Sequence, residues 1–330
     1  MNYRQLGRAG VKVSPIALGT ANFAWLTDEA DSFAMLDHAI EHGINLVDTS
    51  DNYNAGQTEA LLGRYFARAP HMREKLVLAT KCGTPPTEWA SSDPVRRTGS
   101  WVGPNQRGLS AKHIREACDA SLRRLGTDCI DLYQMHHVDR SVPMDEIWQA
   151  LELLVQQGKI LYVGSSNFAG WHIARANETA KARQFNGLVS EQSVYNLTKR
   201  VLELEVLPAC VGYGMAFLPY SPLGGGLLGG KSTGDGRGRR GMTQRSYQQP
   251  TQLEQFQALC EQIGGVASQV ALAWVLANPA VTSAITGPRT LAQLNDSLAA
   301  LDVQLSAETL SQLDVMFPGP GGVAPEAYAW

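Results

Sequence analysis

Cysteine is scarce in this 330-residue chain and shows no organisation. Five are present, Cys82, Cys118, Cys129, Cys210 and Cys260, an odd number with no Cys-x-x-Cys pair. A disulfide framework or zinc module is therefore not expected, and a reducing compartment fits best. Each cysteine reads as a small core hydrophobe. No run approaches the ~20 apolar residues needed to cross a bilayer, so no membrane association is expected. The opening Met1-Asn2-Tyr3-Arg4-Gln5 lacks the apolar stretch of a signal peptide, and the expected location is the cytoplasm. Neither sign of charge dominates: 28 Lys and Arg face 31 Asp and Glu, a formal net charge of -3. That balance lacks the broad basic face of a nucleic-acid binder. Apolar residues are plentiful, at 44%, enough to bury a large core.

Short apolar runs alternate with helical patterns almost from end to end. The expected strands are Ile16–Leu18, Asn45–Val47, Leu76–Thr80, Ile130–Met135, Ile160–Gly164, Leu188–Ser190, Met215–Pro219 and Val281–Thr286. The expected helices are Ala30–His42, Thr58–Arg68, Ala111–Leu125, Met144–Gln156, Gly170–Lys181, Arg200–Pro208, Val266–Ala277 and Thr290–Leu298. Ser110 is placed to cap the third helix, while Gly126 and Gly158 follow the third and fourth as C-terminal caps. Before the series, Tyr3–Leu6 and Val11–Ser14 flank a Gly-containing turn and read as a hairpin. Two Gly/Pro-rich stretches, Gly83–Gly108 and Pro222–Pro250, are too long for tight connections and read as functional loops. No linker divides the chain, so residues 1–330 are expected to form one domain.

Strands separated by helices imply parallel pairing, in either a closed barrel or an open sheet. The residues that end the strands favour the barrel. The apolar runs finish in Asp48, Lys81, His136, Ser166 with Asn167, Gln192 and Tyr220. In a barrel these carboxyl ends converge on one face, whereas an open sheet spreads them along an edge. A structural ion pair would account for Asp48 and Lys81 alone; the whole set points to a pocket. The expected fold is an α/β (β/α)₈ barrel with an N-terminal hairpin and long loops at the C-terminal face.

These residue types suit reduction of a small-molecule carbonyl. A carbonyl accepting hydride needs a proton at its oxygen as negative charge develops there. A phenol, with an ordinary pKa of about 10, is a weak acid, and a neighbouring ammonium stabilises its conjugate base. Tyr53 would supply the proton, Lys81 the ammonium and Asp48 the charge that holds Lys81 in place. Either His136 or His137 would orient the substrate.

Gly43-Ile44-Asn45-Leu46-Val47-Asp48-Thr49-Ser50-Asp51-Asn52-Tyr53, Ala79-Thr80-Lys81 and Asp131-Leu132-Tyr133-Gln134-Met135-His136 resemble the catalytic segments of the aldo-keto reductase superfamily. The resemblance begins at Tyr3-Arg4-Gln5-Leu6-Gly7-Arg8, runs nearly the whole chain and selects His136 over His137. It implies NADPH, or NADH, as cofactor. Ser166, Asn167 and Gln192 match residues that hold the nicotinamide amide, and Tyr220 matches the aromatic stacked on its ring. The stretch Ser221–Lys231, with Leu223 and Gly225, resembles the pyrophosphate loop. Gly287, Arg289 and Gln293 resemble the adenosine-phosphate site, where Ser297 departs from the usual Asn beside Asp296. Arg289 and Lys231 favour a 2′-phosphate and hence NADPH. Within the superfamily, Met135–Arg140, Ser165–Ile173 and Ala324–Trp330 are most similar to bacterial nucleotide-hexose 2,3-enoyl reductases of deoxysugar pathways. The opening segment is similar to potassium-channel β subunits, which raises a cofactor-binding regulatory subunit as an alternative.

Other motifs carry less. Gly225-x-x-x-x-Gly230-Lys231-Ser232 fits the P-loop pattern, yet its glycine-rich sequel is not expected to propagate a helix. Gly224-x-Gly226-x-x-Gly229 fits the dinucleotide fingerprint without the helix that must follow it. His38 and His42 have helical spacing but no third ligand, so no metal is expected. Trp25, Trp89 and Trp101 sit in loops at strand exits, where they are expected to wall a substrate pocket, with loop packing the competing role.

Overall fold

The computed structural model describes residues 1–88, 91, 93–230 and 249–324. It opens with an antiparallel hairpin of β1 (Arg4–Gln5) and β2 (Lys12–Val13). Eight parallel strands follow: β3 (Ile16–Gly19), β4 (Leu46–Asp48), β5 (Val77–Cys82), β6 (Ile130–Met135), β7 (Ile160–Ser166), β8 (Leu188–Gln192), β9 (Ala216–Phe217) and β10 (Ala284–Thr286). From β3 to β9 each pairs with the next, and β10 returns to β3. Parallel bridges Phe217–Val281 and Tyr220–Ile285 close the remaining side, giving the (β/α)₈ barrel.

The sequence's alternation sorts the two faces of most strands, with a register shift on β8 as the exception. Ala17, Leu46, Val77, Ala79, Leu132, Val189 and Ala216 belong to a core inside the barrel. Their chain neighbours Ile16, Leu18, Val47, Leu78, Tyr133 and Leu188 pack outward against the helices. The hairpin plugs the barrel floor through Leu6, Ala9 and Val13. Gly7 makes that fit possible: at φ +57 its missing Cβ would lie 2.4 Å from the Val189 carbonyl oxygen.

Most helices lie where amphipathic spacing and caps place them. Ser110 accepts a hydrogen bond from the His113 amide at the head of Ala111–Leu125, and Gly126 ends that helix at φ +62. The expected single helix Arg200–Pro208 is instead a 3₁₀ turn, Val201–Glu203, followed by a helix, Val206–Gly212. Glu205, at φ -133, leaves helical geometry between them. The Gly83–Gly108 loop contains a short helix, Pro94–Thr98, and helices Pro250–Gln262 and Ala307–Met316 were not anticipated. Among the described residues, no single helix is long and apolar enough to cross a membrane.

Candidate active site

Period-two alternation carries past the apolar core to Asp48, Lys81 and Gln134 at the strand ends, on the inward face. Gln192 joins them through a register shift between β7 and β8. Leu188 and Ser190 pair there with the adjacent Val163 and Gly164, so that β8 has two residues against one ahead of Gln192. Lys81 and Asp48 form an ion pair of 2.7 Å, with side chains 0% and 4% exposed. The Lys81 ammonium also donates to the Thr49 carbonyl at 2.7 Å and to the Tyr53 hydroxyl at 3.2 Å. The other Asp48 oxygen, Oδ1, accepts from Gln192 Nε2 at 2.8 Å and Gln134 Nε2 at 3.1 Å. A buried ion pair is costly unless its remaining valences are met. Here three ammonium bonds and two amide donors meet them. Burial lowers the Lys81 pKa, but Asp48 and then Tyr53 outweigh it, and the net shift is upward. Lys81 therefore stays an ammonium.

Tyr53 reaches this pair from the loop after β4. Thr49 and Asp51 extend the pairing with β5, through the Ala79 and Lys81 carbonyls. The chain then turns through Asn54, Ala55 and Gly56 at φ +47, +52 and +85 before entering helix Gln57–Arg68. Two consecutive left-handed non-glycine residues are strained. They are held by Asn54 Nδ2 on the Ala24 carbonyl at 2.6 Å and the Ala55 amide on the Thr87 carbonyl at 2.9 Å. The hydroxyl oxygen of Tyr53 accepts from the Lys81 ammonium. His136 follows β6 and lies edge-on to Tyr53, ring centroids 6.0 Å apart. Burial, then the Lys81 ammonium, then His137 push its pKa well below the usual imidazole value, and it stays neutral.

These groups open onto a cleft of about 550 Å³ at the carboxyl ends of the strands. Asp48, Tyr53 and His136 line it, and Lys81 lies beneath. Ser166, Asn167, Gln192 and Tyr220 line one wall. Tyr220 donates to Asn167 Oδ1 at 3.1 Å, and Asn167 Nδ2 donates to Ser166 Oγ at 3.1 Å. Gln192 commits its Nε2 to Asp48, leaving Oε1 without a partner among the described residues. The wall thus offers a hydroxyl donor and an amide acceptor, the pair a carboxamide needs. Ser221, Leu223, Gly225, Gly287, Arg289 and Gln293 line the rest. Gln293 Oε1 accepts from the Arg289 amide at 2.8 Å, while the Arg289 guanidinium has no ion-pair partner among the described residues. Nicotinamide and phosphate groups fit this donor set.

Several expected residues fall elsewhere. Neither Trp25 nor Trp101 lines the cleft. Trp101 is 46% exposed, with Arg96 packed over its ring, and the Trp25 backbone amide closes a turn on the Asn22 carbonyl. Trp89 and Lys231 lie outside the described residues. Ser297 turns its hydroxyl back onto the Gln293 carbonyl of its own helix and does not line the cleft; Asp296 does, tied to Ser268 and to Gln269 Nε2. Sequence reasoning missed the role of Gln134 as a partner of Asp48. It also missed Asn22, which lines the cleft and donates to the Gly287 carbonyl at 2.7 Å. Inward register on β6 was the available signal for Gln134. No group of three or more metal-ligating side chains occurs among the described residues.

The profile of the "Aldo/keto reductase family" matches residues 15–316. Across the full length of both chains, this protein is 48% identical to the uncharacterized oxidoreductase YrpG of Bacillus subtilis. It is 30% identical to versiconal hemiacetal acetate reductase of Aspergillus parasiticus, over 95% of this chain and 96% of that one. It is 33% identical to a putative voltage-gated potassium channel subunit beta of Schizosaccharomyces pombe, over 94% and 92% of the two chains. The chain belongs to the aldo/keto reductase family, and it is an oxidoreductase on a (β/α)₈ barrel.

Proposed function

We propose that this protein is an NADPH-dependent reductase of aldehydes or ketones, with Tyr53 as the proton donor. The observation that carries the reading is the Lys81 ammonium shared between Asp48 and the Tyr53 hydroxyl, 2.7 and 3.2 Å away. NADPH, when bound, supplies the hydride. As negative charge develops on the carbonyl oxygen, Tyr53 gives it a proton, and Lys81 stabilises the tyrosinate left behind. Asp48, fixed by Gln134 and Gln192, keeps the ammonium beneath the phenol. Neutral His136 directs the substrate oxygen toward Tyr53. Ser166 and Gln192 would hold the carboxamide, Tyr220 would face the nicotinamide ring and Arg289 would meet the 2′-phosphate.

The test is steady-state NADPH oxidation with aryl aldehydes, sugars, ketones and nucleotide-linked ketosugars. Tyr53→Phe is expected to collapse turnover while NADPH still binds; wild-type turnover in that variant would defeat the reading. Arg289→Ala is expected to raise the NADPH KM about tenfold, the scale of a lost charged hydrogen bond, and to leave the NADH KM unchanged.

A second reading, a cofactor-binding regulatory subunit, draws on the similarity to the potassium-channel subunit. It predicts cofactor binding with no turnover across the whole panel.

A further inference from the structure

Ser50 lies two residues beyond Asp48 and is fully buried. Its hydroxyl sits 2.8 Å from Asn52 Oδ1, 3.0 Å from His136 Nδ1 and 3.4 Å from Asp51 Oδ1. A serine hydroxyl has one proton to give and two lone pairs to receive. A neutral imidazole is a donor at one nitrogen and an acceptor at the other, and the bond made by the buried nitrogen decides which. These two rules couple the three side chains. When Ser50 donates to Asn52, it meets His136 with a lone pair, Nδ1 must carry the ring proton, and Nε2 is bare. When Ser50 donates to His136 Nδ1, the ring proton sits on Nε2, and Asn52 must turn its amide so that Nδ2 supplies the Ser50 oxygen. Both arrangements hold the same number of protons.

The choice has chemical consequences because His136 is neutral and cannot satisfy both arrangements at once. A carbonyl oxygen is polarised by an Nε2–H donor and repelled by an Nε2 lone pair. Asn52 is suited to the turn: it lines the cleft, and its Nδ2 donates to no described residue.

We propose that Ser50 is a positioning residue that sets the tautomer of His136, donating to Nδ1 in the cofactor-bound protein so that Nε2–H faces the substrate carbonyl. This rests on the reductase reading above. Ser50 touches neither substrate nor cofactor; it acts through the imidazole.

Long-range ¹H–¹⁵N NMR of the full chain, labelled at its histidine rings and saturated with NADP⁺, reads which nitrogen of His136 bears the proton. His136→Gln assigns the signal by removing it. The expected result is protonation at Nε2 in the wild type and a mixture of tautomers in Ser50→Ala. Ser50→Ala is also expected to lower kcat about tenfold, with the NADPH KM unchanged, and Ser50→Thr to recover it. A wild-type ring protonated at Nδ1 with NADP⁺ bound would overturn the proposal, as would a His136 signal unaltered by Ser50→Ala. A fall in NADPH affinity parallel to kcat would equally reduce Ser50 to a packing residue. A protein that binds no NADP⁺ fails as a reductase, a separate outcome seen directly in the titration.

Discussion

Two buried carboxylates stand on the barrel strands, and their surroundings differ in one respect. Asp48 faces inward and has a cation, Lys81, at 2.7 Å. Glu191, one residue from Gln192 on β8, faces outward toward the helices and has no ion pair among the described residues. Its oxygens take hydrogen bonds from the Ser165 and Ser193 hydroxyls and the Phe168 amide. Burial, opposed by these neutral donors and the Asn167 amide, pushes its pKa up to about 7. Burial is common to both; a counter-ion is not. Neutral donors can satisfy every lone pair of a carboxylate without offsetting the whole cost of its charge. The two clusters also serve different parts of the fold: Asp48 holds the ammonium under Tyr53, whereas Glu191 shapes the Ser165–Phe168 turn that carries Ser166 and Asn167.

Making Asp48 resemble Glu191 should have the largest effect. Lys81→Met removes the cation and leaves a buried carboxylate with amide donors only. We expect turnover to fall about 10²–10⁴-fold and stability by about 3–5 kcal/mol, read by steady-state kinetics and urea unfolding. Unchanged stability would show that Asp48 does not depend on its counter-ion. Gln134→Leu is a smaller perturbation. Asp48 Oδ1 then keeps Gln192 alone, for an expected loss of about 1–3 kcal/mol in the same unfolding measurement.

The smallest effect concerns Glu191 and appears as a pH dependence. Its folded pKa, about 7, lies above the ordinary 4.5, so the folded state holds the proton more tightly. That contribution is fully present below pH 4.5 and is lost as the pH rises toward about 7. His136 works in the opposite sense: with its folded pKa below 6.5, it disfavours the folded state progressively as the pH falls under 6.5. Glu191→Gln should therefore flatten the decline in Tm between pH 5 and about 7 and leave the His136 limb, with only a minor change in kcat. A Tm profile that keeps the wild-type slope would place the Glu191 proton elsewhere.

The contrast between the clusters was partly legible in the chain. Asp48 and Lys81 stand out because each ends an apolar run with a charge, and alternation puts both on the inward face. Glu191 sits beside Gln192 in the same run, but alternation from the inward Val189 would send Glu191 inward and Gln192 outward; the β7–β8 register shift reverses both. Only Ser193, two residues on, is a local partner; Ser165 belongs to the neighbouring strand and that pair depends on β7–β8 register, Ser165 opposite Glu191. Trp25 and Trp101 teach the converse. A loop's position at a strand exit was readable, but the direction of its side chains was not, and neither ring lines the cleft.

The sequence by itself determined the order of the eight barrel strands, most of the helices between them and the resemblance to the aldo/keto reductase family. Those properties follow from periodicity and from motifs carried on short stretches of chain. Only the tertiary structure decided that Gln134 and Gln192 share one oxygen of Asp48, and that Ser50 lies within hydrogen-bond reach of His136. Such contacts join residues as many as 144 positions apart, and their distances are set by ring closure and strand register rather than by any local preference.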